Sequence, residues 1–280
     1  MSAAVDSAPV FPWGRRTCLM AILNVTPNSF SGDGLAGDVE AAVQRARQAA
    51  ASGADVIDVG GESTAYYKPG YVPVTETEEL ARVLPVIERL AGELAVPISI
   101  DTRKPEVARQ ALRAGAAWVN NVEAVWDDGA MAAVAAEHQA PLVIMHYGRE
   151  ALYTDVVLEV RDSLERAAEL ALGRGVSPAR IILDPGIGFG KGTRHNLALL
   201  RRLSELRTLG FPLLIGPSRK RFLGELLGGA PERERLEGTE AAVAVAIAHG
   251  ADAVRVHDVA PVARIVRIAD AIVRSTDAAN

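Results

Sequence analysis

The chain has 280 residues, 49% of them hydrophobic and 23% charged, with 30 basic side chains against 35 acidic ones and a formal charge of −5. That composition excludes a disordered chain and supplies no global positive field for nucleic acid or an anionic membrane, so an anionic ligand has to be held by local groups. The single Cys18 excludes an intramolecular disulfide, and its setting in the apolar run Cys18-Leu19-Met20-Ala21-Ile22-Leu23 marks a core residue of a cytoplasmic protein.

No secretory signal is expected, because the stretch before Thr17 has two arginines but no apolar h-region ahead of a small-residue cleavage site. No run reaches the ~18 apolar residues of a membrane helix. Residues 1–16 read as an N-terminal extension, 17–274 as one domain and 275–280 as a frayed tail. Short apolar segments at 18–23, 55–59, 97–100, 117–122, 141–145, 180–183, 212–215 and 252–256 predict strands. Amphipathic segments at 38–51, 75–94, 104–114, 128–137, 155–173, 195–208, 237–249 and 260–273 predict the helices that follow them. Eight strand-then-helix pairs are the pattern of an α/β protein with a parallel sheet closed into a (β/α)8 TIM barrel.

Three helix-to-strand junctions resemble one another: Gly53-Ala54-Asp55-Val56-Ile57-Asp58, Gly115-Ala116-Ala117-Trp118-Val119-Asn120 and Gly250-Ala251-Asp252-Ala253-Val254-Arg255. A helix-ending glycine and a buried strand account for the shared part. They do not account for Asp, Asn and Arg five residues after each glycine. In a strand covered on both faces such groups are costly unless they are paired or reach the C-terminal rim, where barrel enzymes place their chemistry. Asn24, Asp58, Asp101, Asn120, His146, Asp184, Ser218, Arg255 and His257 are all expected at that rim.

Taken singly, a strand-end Asp or Asn is more often a turn former or helix cap, and Asp101 has that alternative ahead of Lys104-Pro105. Together, Asp101 and Asp184 suit the paired N–H donors of a heterocycle, and Asn120 can donate and accept on the same edge. Gly216-Pro217-Ser218-Arg219-Lys220-Arg221 puts three cations where a helix should begin, a conflict that a bound anion resolves; Lys220 is assigned to the pocket, Arg219 and Arg221 to solvent or to Glu225. Arg255 and His257, two apart on one strand, share a face and make a phosphate grip.

Two decoys are set aside. Asp184-Pro185-Gly186-Ile187-Gly188-Phe189-Gly190-Lys191 has three residues, not four, between its outer glycines and no Ser or Thr after Lys191, so it is not a Walker loop. Its glycines let the backbone turn sharply against a flat ligand, with Phe189 available for packing. Gly32-Asp33-Gly34-Leu35-Ala36-Gly37 matches a dinucleotide fingerprint, but Val25 to Ser31 separate it from its strand, which leaves an NAD-dependent oxidoreductase as a remote alternative.

The chain carries the motifs Ile22-Leu23-Asn24-Val25-Thr26-Pro27 with Ser29-Phe30-Ser31, Asp58-Val59-Gly60-Gly61-Glu62-Ser63-Thr64, Ser99-Ile100-Asp101-Thr102, Asn120, Met145-His146, Asp184-Pro185-Gly186, Ser218-Arg219-Lys220 and Arg255-Val256-His257-Asp258. In these, from Leu19 to Val259, it resembles the dihydropteroate synthase family. The resemblance implies condensation of 6-hydroxymethyl-7,8-dihydropterin diphosphate with p-aminobenzoate. It implies a pterin held by Asp101, Asn120, Asp184, Lys220, Met145, Phe189, Gly216 and Arg255, and a diphosphate held by Asn24, Arg255 and His257 with Mg2+ at Asn24. It further implies p-aminobenzoate near Thr64, Ser218, Lys68 and Phe30, catalytic roles for Lys220, Arg255 and Asp33, and a homodimer without nucleic-acid or membrane partners. A pterin-dependent methyltransferase or a non-catalytic pterin-binding paralogue shares the ring pocket but has no need of the anion grip.

Three departures from the family pattern stand out. The usual Glu-Ser-Thr-Arg-Pro-Gly reads Glu62-Ser63-Thr64-Ala65-Tyr66-Tyr67-Lys68-Pro69-Gly70, which adds three residues and loses the arginine. Lysine lacks the planar guanidinium that stacks on an aromatic ring, so altered p-aminobenzoate and sulfonamide binding is expected. The loop carboxylate Asp33 is shifted by one place, and Asn28 and Asn121 stand where aspartates are usual.

Overall fold

The computed structural model describes residues 10–26, 38–63, 71–124, 128–148 and 152–274. Eight parallel strands, β1 (Cys18–Asn24), β2 (Val56–Gly60), β3 (Ile98–Asp101), β4 (Trp118–Asn121), β5 (Leu142–Met145), β6 (Ile181–Asp184), β7 (Leu214–Ile215) and β8 (Ala253–Val256), pair in the order β6-β5-β4-β3-β2-β1-β8-β7. A parallel bridge between Leu183 and Leu213 joins the two ends, with the Leu183 amide donating to the Pro212 carbonyl at 2.9 Å, so the sheet closes into the expected TIM barrel. Around it lie α1 (Val39–Ala51), α2 (Glu76–Glu93), α3 (Pro105–Arg113), α4 (Ala130–Glu137), α5 (Val156–Gly173), α6 (Thr193–Arg201), α7 (Arg221–Leu226), α8 (Leu236–Ala248) and α9 (Val259–Arg274).

Helix starts follow from local chemistry. Asp38 and Asp155 accept backbone N–H bonds in the first turns of α1 and α5, and Thr75 with Glu78 forms a capping box on α2. The repeated junction glycines Gly53, Gly115 and Gly250 have φ of 103°, 113° and 99°, the left-handed region that ends a helix and turns the chain into the next strand. Two elements differ from the sequence expectation. The helix predicted at 195–208 is α6 followed by a 3-10 stretch over Leu203–Leu209, and α7 is an additional helix of six residues, too short to show an amphipathic period.

Two apolar shells sandwich the strands. Leu19, Ile57, Ile100, Val119, Ile144, Leu183, Ile215 and Val254 face outward into the helix layer. Their neighbours Cys18, Met20, Val56, Trp118, Val143, Ile182, Leu214 and Ala253 fill the lower half of the barrel, as period-two alternation requires. Phe11 belongs to this inner cluster. Its ring centroid lies 5.0 Å from that of Trp13, which in turn lies 6.3 Å from Trp118, and the Arg16 guanidinium sits 4.4 Å above Phe11. Residues 10–16 therefore stopper the N-terminal end of the barrel. Asp270 of α9 fixes the chain just beyond, accepting at 2.7 Å from both the amide and the hydroxyl of Thr17.

Because Phe11 is part of the inner core, truncating it leaves a cavity beneath Trp118. Phe11→Ala should lower unfolding free energy by about 3 kcal/mol in urea titrations, within the range for core aromatic truncations. A loss below about 1 kcal/mol would show that this segment does not close the barrel.

Candidate active site

With the lower half of the barrel filled by apolar side chains, continuing each strand by two residues gives the lining of the upper half. Met20 leads to Asn24 by way of Ile22, Val56 to Asp58, Ser99 to Asp101, Trp118 to Asn120, Val143 to Met145, Ile182 to Asp184, Leu214 to Gly216, and Ala253 to Arg255 and His257. Register places Asp101 beside Asn120 and Gly60, Met145 beside Asp184, and Asn24 beside Gly60. Every pterin and diphosphate residue expected on a strand thus faces the same mouth.

Asp58 has no exposed surface. Its Oδ2 accepts from Arg255 Nε at 2.6 Å and from Asn120 Nδ2 at 2.9 Å. The three residues that end the repeated junctions are therefore one hydrogen-bonded set. Arg255 extends it, its Nη2 donating to Asp101 Oδ2 at 2.5 Å. Asp101 turns into the barrel and does not cap α3, whose N-cap is Lys104 without a side-chain bond. Burial pushes the Asp101 carboxyl up to about 7 against the pull of Arg255, and the neighbouring Asp58 adds to the rise. Asp184, held at Oδ1 by the Gly186 amide at 2.7 Å, is likewise raised by burial to about 6.

Lys220 reaches the mouth as expected, with Nζ 3.6 Å from the Phe189 ring centroid, a cation–π contact. Burial, with Arg255 as a like charge, lowers its ammonium to about 8. The turn that aims it is strained: Arg219 has φ of 55°, and its conformation is fixed by its amide on Thr239 Oγ1, its carbonyl on Arg235 and its guanidinium on Asp258 at 2.9 and 2.6 Å. Arg221 pairs with Glu225 on the surface. Gly216 presents no side chain there, and its α-carbon lies beside Arg255, a Cβ on it falling at ordinary contact distance, 3.9 Å, from Arg255 Cβ. Met145, Phe189, Val122 and Tyr147 form a small apolar cluster at and beyond the ends of β4, β5 and β6.

Ser218 and His257 meet at the rim, where Ser218 Oγ lies 2.9 Å from His257 Nδ1 and accepts from the His257 amide at 3.1 Å. His146 is pushed down to about 3 by burial and by Lys191, so it is a neutral ring. Asn121 alternates to the other face and accepts from the Glu123 amide. Phe30, Asp33, Thr64 and Lys68, together with Asn28 and the Ala65-Tyr66-Tyr67 insertion, lie outside the described residues. Among the described residues no three His, Cys, Asp or Glu side chains converge as a metal cage. Asn24 nevertheless fits a magnesium carried mainly by phosphate and water: a Cβ on Gly60 would lie 3.8 Å from Asn24 Oδ1 and 3.5 Å from Asp101 Oδ2, so a hard oxygen faces the mouth beside a carboxylate.

Two features escaped the sequence reading. One is the anchoring role of Asp58, for which the three-junction repeat was a usable signal. The other is a charge network around Glu62, just after β2. There Glu62 accepts from Lys104 Nζ at 2.8 Å, Arg103 Nε at 3.1 Å, the Val74 amide at 3.1 Å and the Tyr71 hydroxyl, while Lys104 also binds the buried Glu79. Burial works against the Glu62 charge, but the bonds from Lys104, Tyr71 and Arg103 prevail and hold its carboxyl near 2.

A model of the pterin binding enzyme family matches residues 20–257. The dihydropteroate synthase of Synechocystis sp. is 47% identical over 272 residues, covering 95% of this chain and 93% of that protein. The chain belongs to the dihydropteroate synthase family. A crystal structure of the Clostridium difficile dihydropteroate synthase in the presence of pteroic acid superposes with a TM-score of 0.89 at 44% identity, covering 95% of this chain and all of that one. The Xanthomonas albilineans enzyme in complex with 7,8-dihydropteroate gives 0.83 at 41% identity, covering 93% and 94% of the two chains. The activity is that of a transferase, which condenses 6-hydroxymethyl-7,8-dihydropterin diphosphate with p-aminobenzoate to 7,8-dihydropteroate and diphosphate in folate synthesis.

Because Asp58 anchors both Arg255 and Asn120, its charge sets the geometry of the pocket. Asp58→Asn should fold, yet lower kcat/KM for the pterin diphosphate by roughly 10- to 150-fold, the value of a charged hydrogen bond of about 1.5–3 kcal/mol. Steady-state kinetics within twofold of the unmodified protein would remove the anchor from the account.

Proposed function

We propose that the pterin ring lies edge-on in the barrel mouth, its N–H and carbonyl edge paired with Asp101, Asn120 and Asp184. Phe189 and Met145 form the apolar wall, Gly216 presents no side chain beside Arg255, and Lys220 reaches across toward the ring. The observation that carries this reading is the convergence of those three polar side chains on the inner faces of β3, β4 and β6, next to the cation Arg255. A partly dry pocket strengthens such hydrogen bonds and makes their loss costly.

Arg255 on β8, His257 just after it and Asn24 at the end of β1 stand above the ring and take the diphosphate. The carbon–oxygen bond between the exocyclic methylene and the diphosphate breaks, the electron pair leaves with the oxygen, and the aromatic amine nitrogen forms the new bond and sheds a proton. The protein stabilises the departing negative charge and fixes the two partners; no protein nucleophile takes part. Magnesium at Asn24 adds electrostatic stabilisation of the diphosphate when bound. Ser218, tied to His257, sits at the rim where p-aminobenzoate enters, with Thr64, Lys68 and Phe30 assigned to the same substrate and Asp33 to closure over the site.

A cytoplasmic location accords with the buried thiol of Cys18. No helix among the described residues is long and apolar enough to cross a membrane. A homodimer is supported by the outer faces of the adjacent helices α8 and α9, where Val245, Ile268, Ile272 and Val273 are exposed.

Incubation with magnesium, 6-hydroxymethyl-7,8-dihydropterin diphosphate and p-aminobenzoate should release diphosphate and 7,8-dihydropteroate in equal amounts; folded protein that forms neither overturns the reading. Sedimentation velocity should give a dimer that Ile272→Glu converts to a monomer. A monomeric parent protein would remove α8 and α9 as the interface.

A further inference from the structure

Lys191 sits in the glycine-rich loop after β6 that resembles a phosphate loop, and the pterin reading gives it no task. It is 8% exposed, an unusual burial for lysine. Its Nζ donates to the carbonyls of Gly186 at 3.0 Å, Phe189 at 3.0 Å and His146 at 3.2 Å. Three donors meet three acceptors, so the ammonium is satisfied, whereas a neutral amine would leave one carbonyl unmatched. The group points into the protein and not toward a phosphate.

These carbonyls come from two loops pressed together. Gly186 and Gly190 have φ of 67° and 62°, and a Cβ on them would fall 1.9 Å from the His146 carbonyl oxygen and 1.5 Å from that of Gly148. Carbonyl dipoles converging on one point repel one another unless a cation lies among them. The clamped backbone carries the groups that meet the pterin. Gly186 donates to Asp184 Oδ1, and Phe189 holds its ring under Lys220 Nζ.

We propose that Lys191 is a positioning residue for the pterin pocket: its buried ammonium locks the loop after β5 to the loop after β6, and so fixes Asp184 and Phe189 against the ring without touching substrate. This rests on the reading of the mouth as the pterin site. The charged and titratable groups facing Lys191 are Asp184 on β6, His146 after β5 and Lys220 after β7. Burial pulls Lys191 down to about 7, Asp184 opposes the fall and Lys220 adds to it. In return the Lys191 charge helps to hold Asp184 down. Removing it should therefore raise the Asp184 carboxyl above its present value of about 6.

The test compares the unmodified protein with Lys191→Met, folding being checked by circular dichroism, in calorimetric titrations with the pterin diphosphate across a pH series. The dissociation constant should rise by at least about tenfold, while KM for p-aminobenzoate stays within about twofold. The acid limb of pterin binding should also move to higher pH in the variant; taking the ratio of the two proteins cancels the ligand's own titration. A folded variant with an unchanged dissociation constant and an unmoved acid limb overturns the proposal, whereas an unmodified protein that fails to bind the pterin sinks the site reading instead. If Lys191→Met does not fold, amide exchange of the unmodified protein decides. Protection of Gly188 and Phe189, corrected for intrinsic rate, should fall between about pH 6 and about pH 8.5, and constant protection refutes the clamp.

Discussion

A carboxylate with no exposed surface, on a strand buried on both faces, has to be neutralised within reach of its own two oxygens. Asp58 meets that constraint at one oxygen, Oδ2, which takes both Arg255 from β8, the neighbour of β1 on its far side, and Asn120 from β4. Arg255 then has a second donor pair to place, and Asp101 receives it. The mouth of the barrel is organised outward from this set. Asp58, Asp101 and Asp184 carry the negative charge, Arg255, Lys220 and Lys191 the positive, and each cation takes a distinct position: one low in the mouth, one reaching across it, one sealed behind its wall. Their near balance permits so much ionisable chemistry in so little solvent. It also explains why burial moves Asp101, Asp184 and Lys220 toward neutrality in different directions while keeping all three within reach of neutral pH.

The scaffold makes the set possible by keeping structural and chemical demands on separate levels. Below the charges, Cys18, Met20, Val56, Trp118, Val143, Ile182, Leu214 and Ala253 fill the barrel, with Phe11 as the stopper. Above them the same strands, two residues further on, present polar groups. A barrel strand of four or five residues has room for one apolar layer and one functional layer, and alternation assigns the intervening residues to the helix shell. The glycines serve the same division. Gly216 and Gly60 leave space beside Arg255 and Asp101, and Gly186 and Gly190 allow two loops to touch.

The barrel was legible because its evidence is periodic: apolar runs at regular spacing, amphipathic segments between them, and polar residues at strand ends. All eight predicted strands exist, with ends displaced by up to two residues, and the rim residues expected on strands face one mouth, except that His146, one place after the inward Met145, turns to the other side against Tyr153. What escaped was information that sequence distance conceals. Asp58 and Arg255 are 197 residues apart, and nothing local says that they pair. The repeated junctions marked Asp58, Asn120 and Arg255 as equivalent positions without revealing that they share a hydrogen-bonded set. Lys191 looked like a failed phosphate loop because its acceptors are backbone carbonyls, which leave no residue signature. Helix α7 showed only as a helix start after Gly216-Pro217-Ser218, because six residues are too few to display a period, and part of the conflict posed by its three cations is met by the pairing of Arg219 with Asp258.

The p-aminobenzoate side of the reaction depends on the two segments around Phe30, Asp33, Thr64 and Lys68, where the family pattern is also altered. The pterin's proposed polar partners Asp101, Asn120 and Asp184 stand on strands, with Lys220 and Phe189 added from the loops after β7 and β6. The most direct measurement of the central claim is therefore a crystal structure of the protein with the pterin diphosphate bound. The account requires the ring edge to pair with Asp101, Asn120 and Asp184 while Arg255 keeps its bond to Asp58. A ring seated elsewhere, or an Arg255 that leaves Asp58 when the ligand arrives, would contradict it.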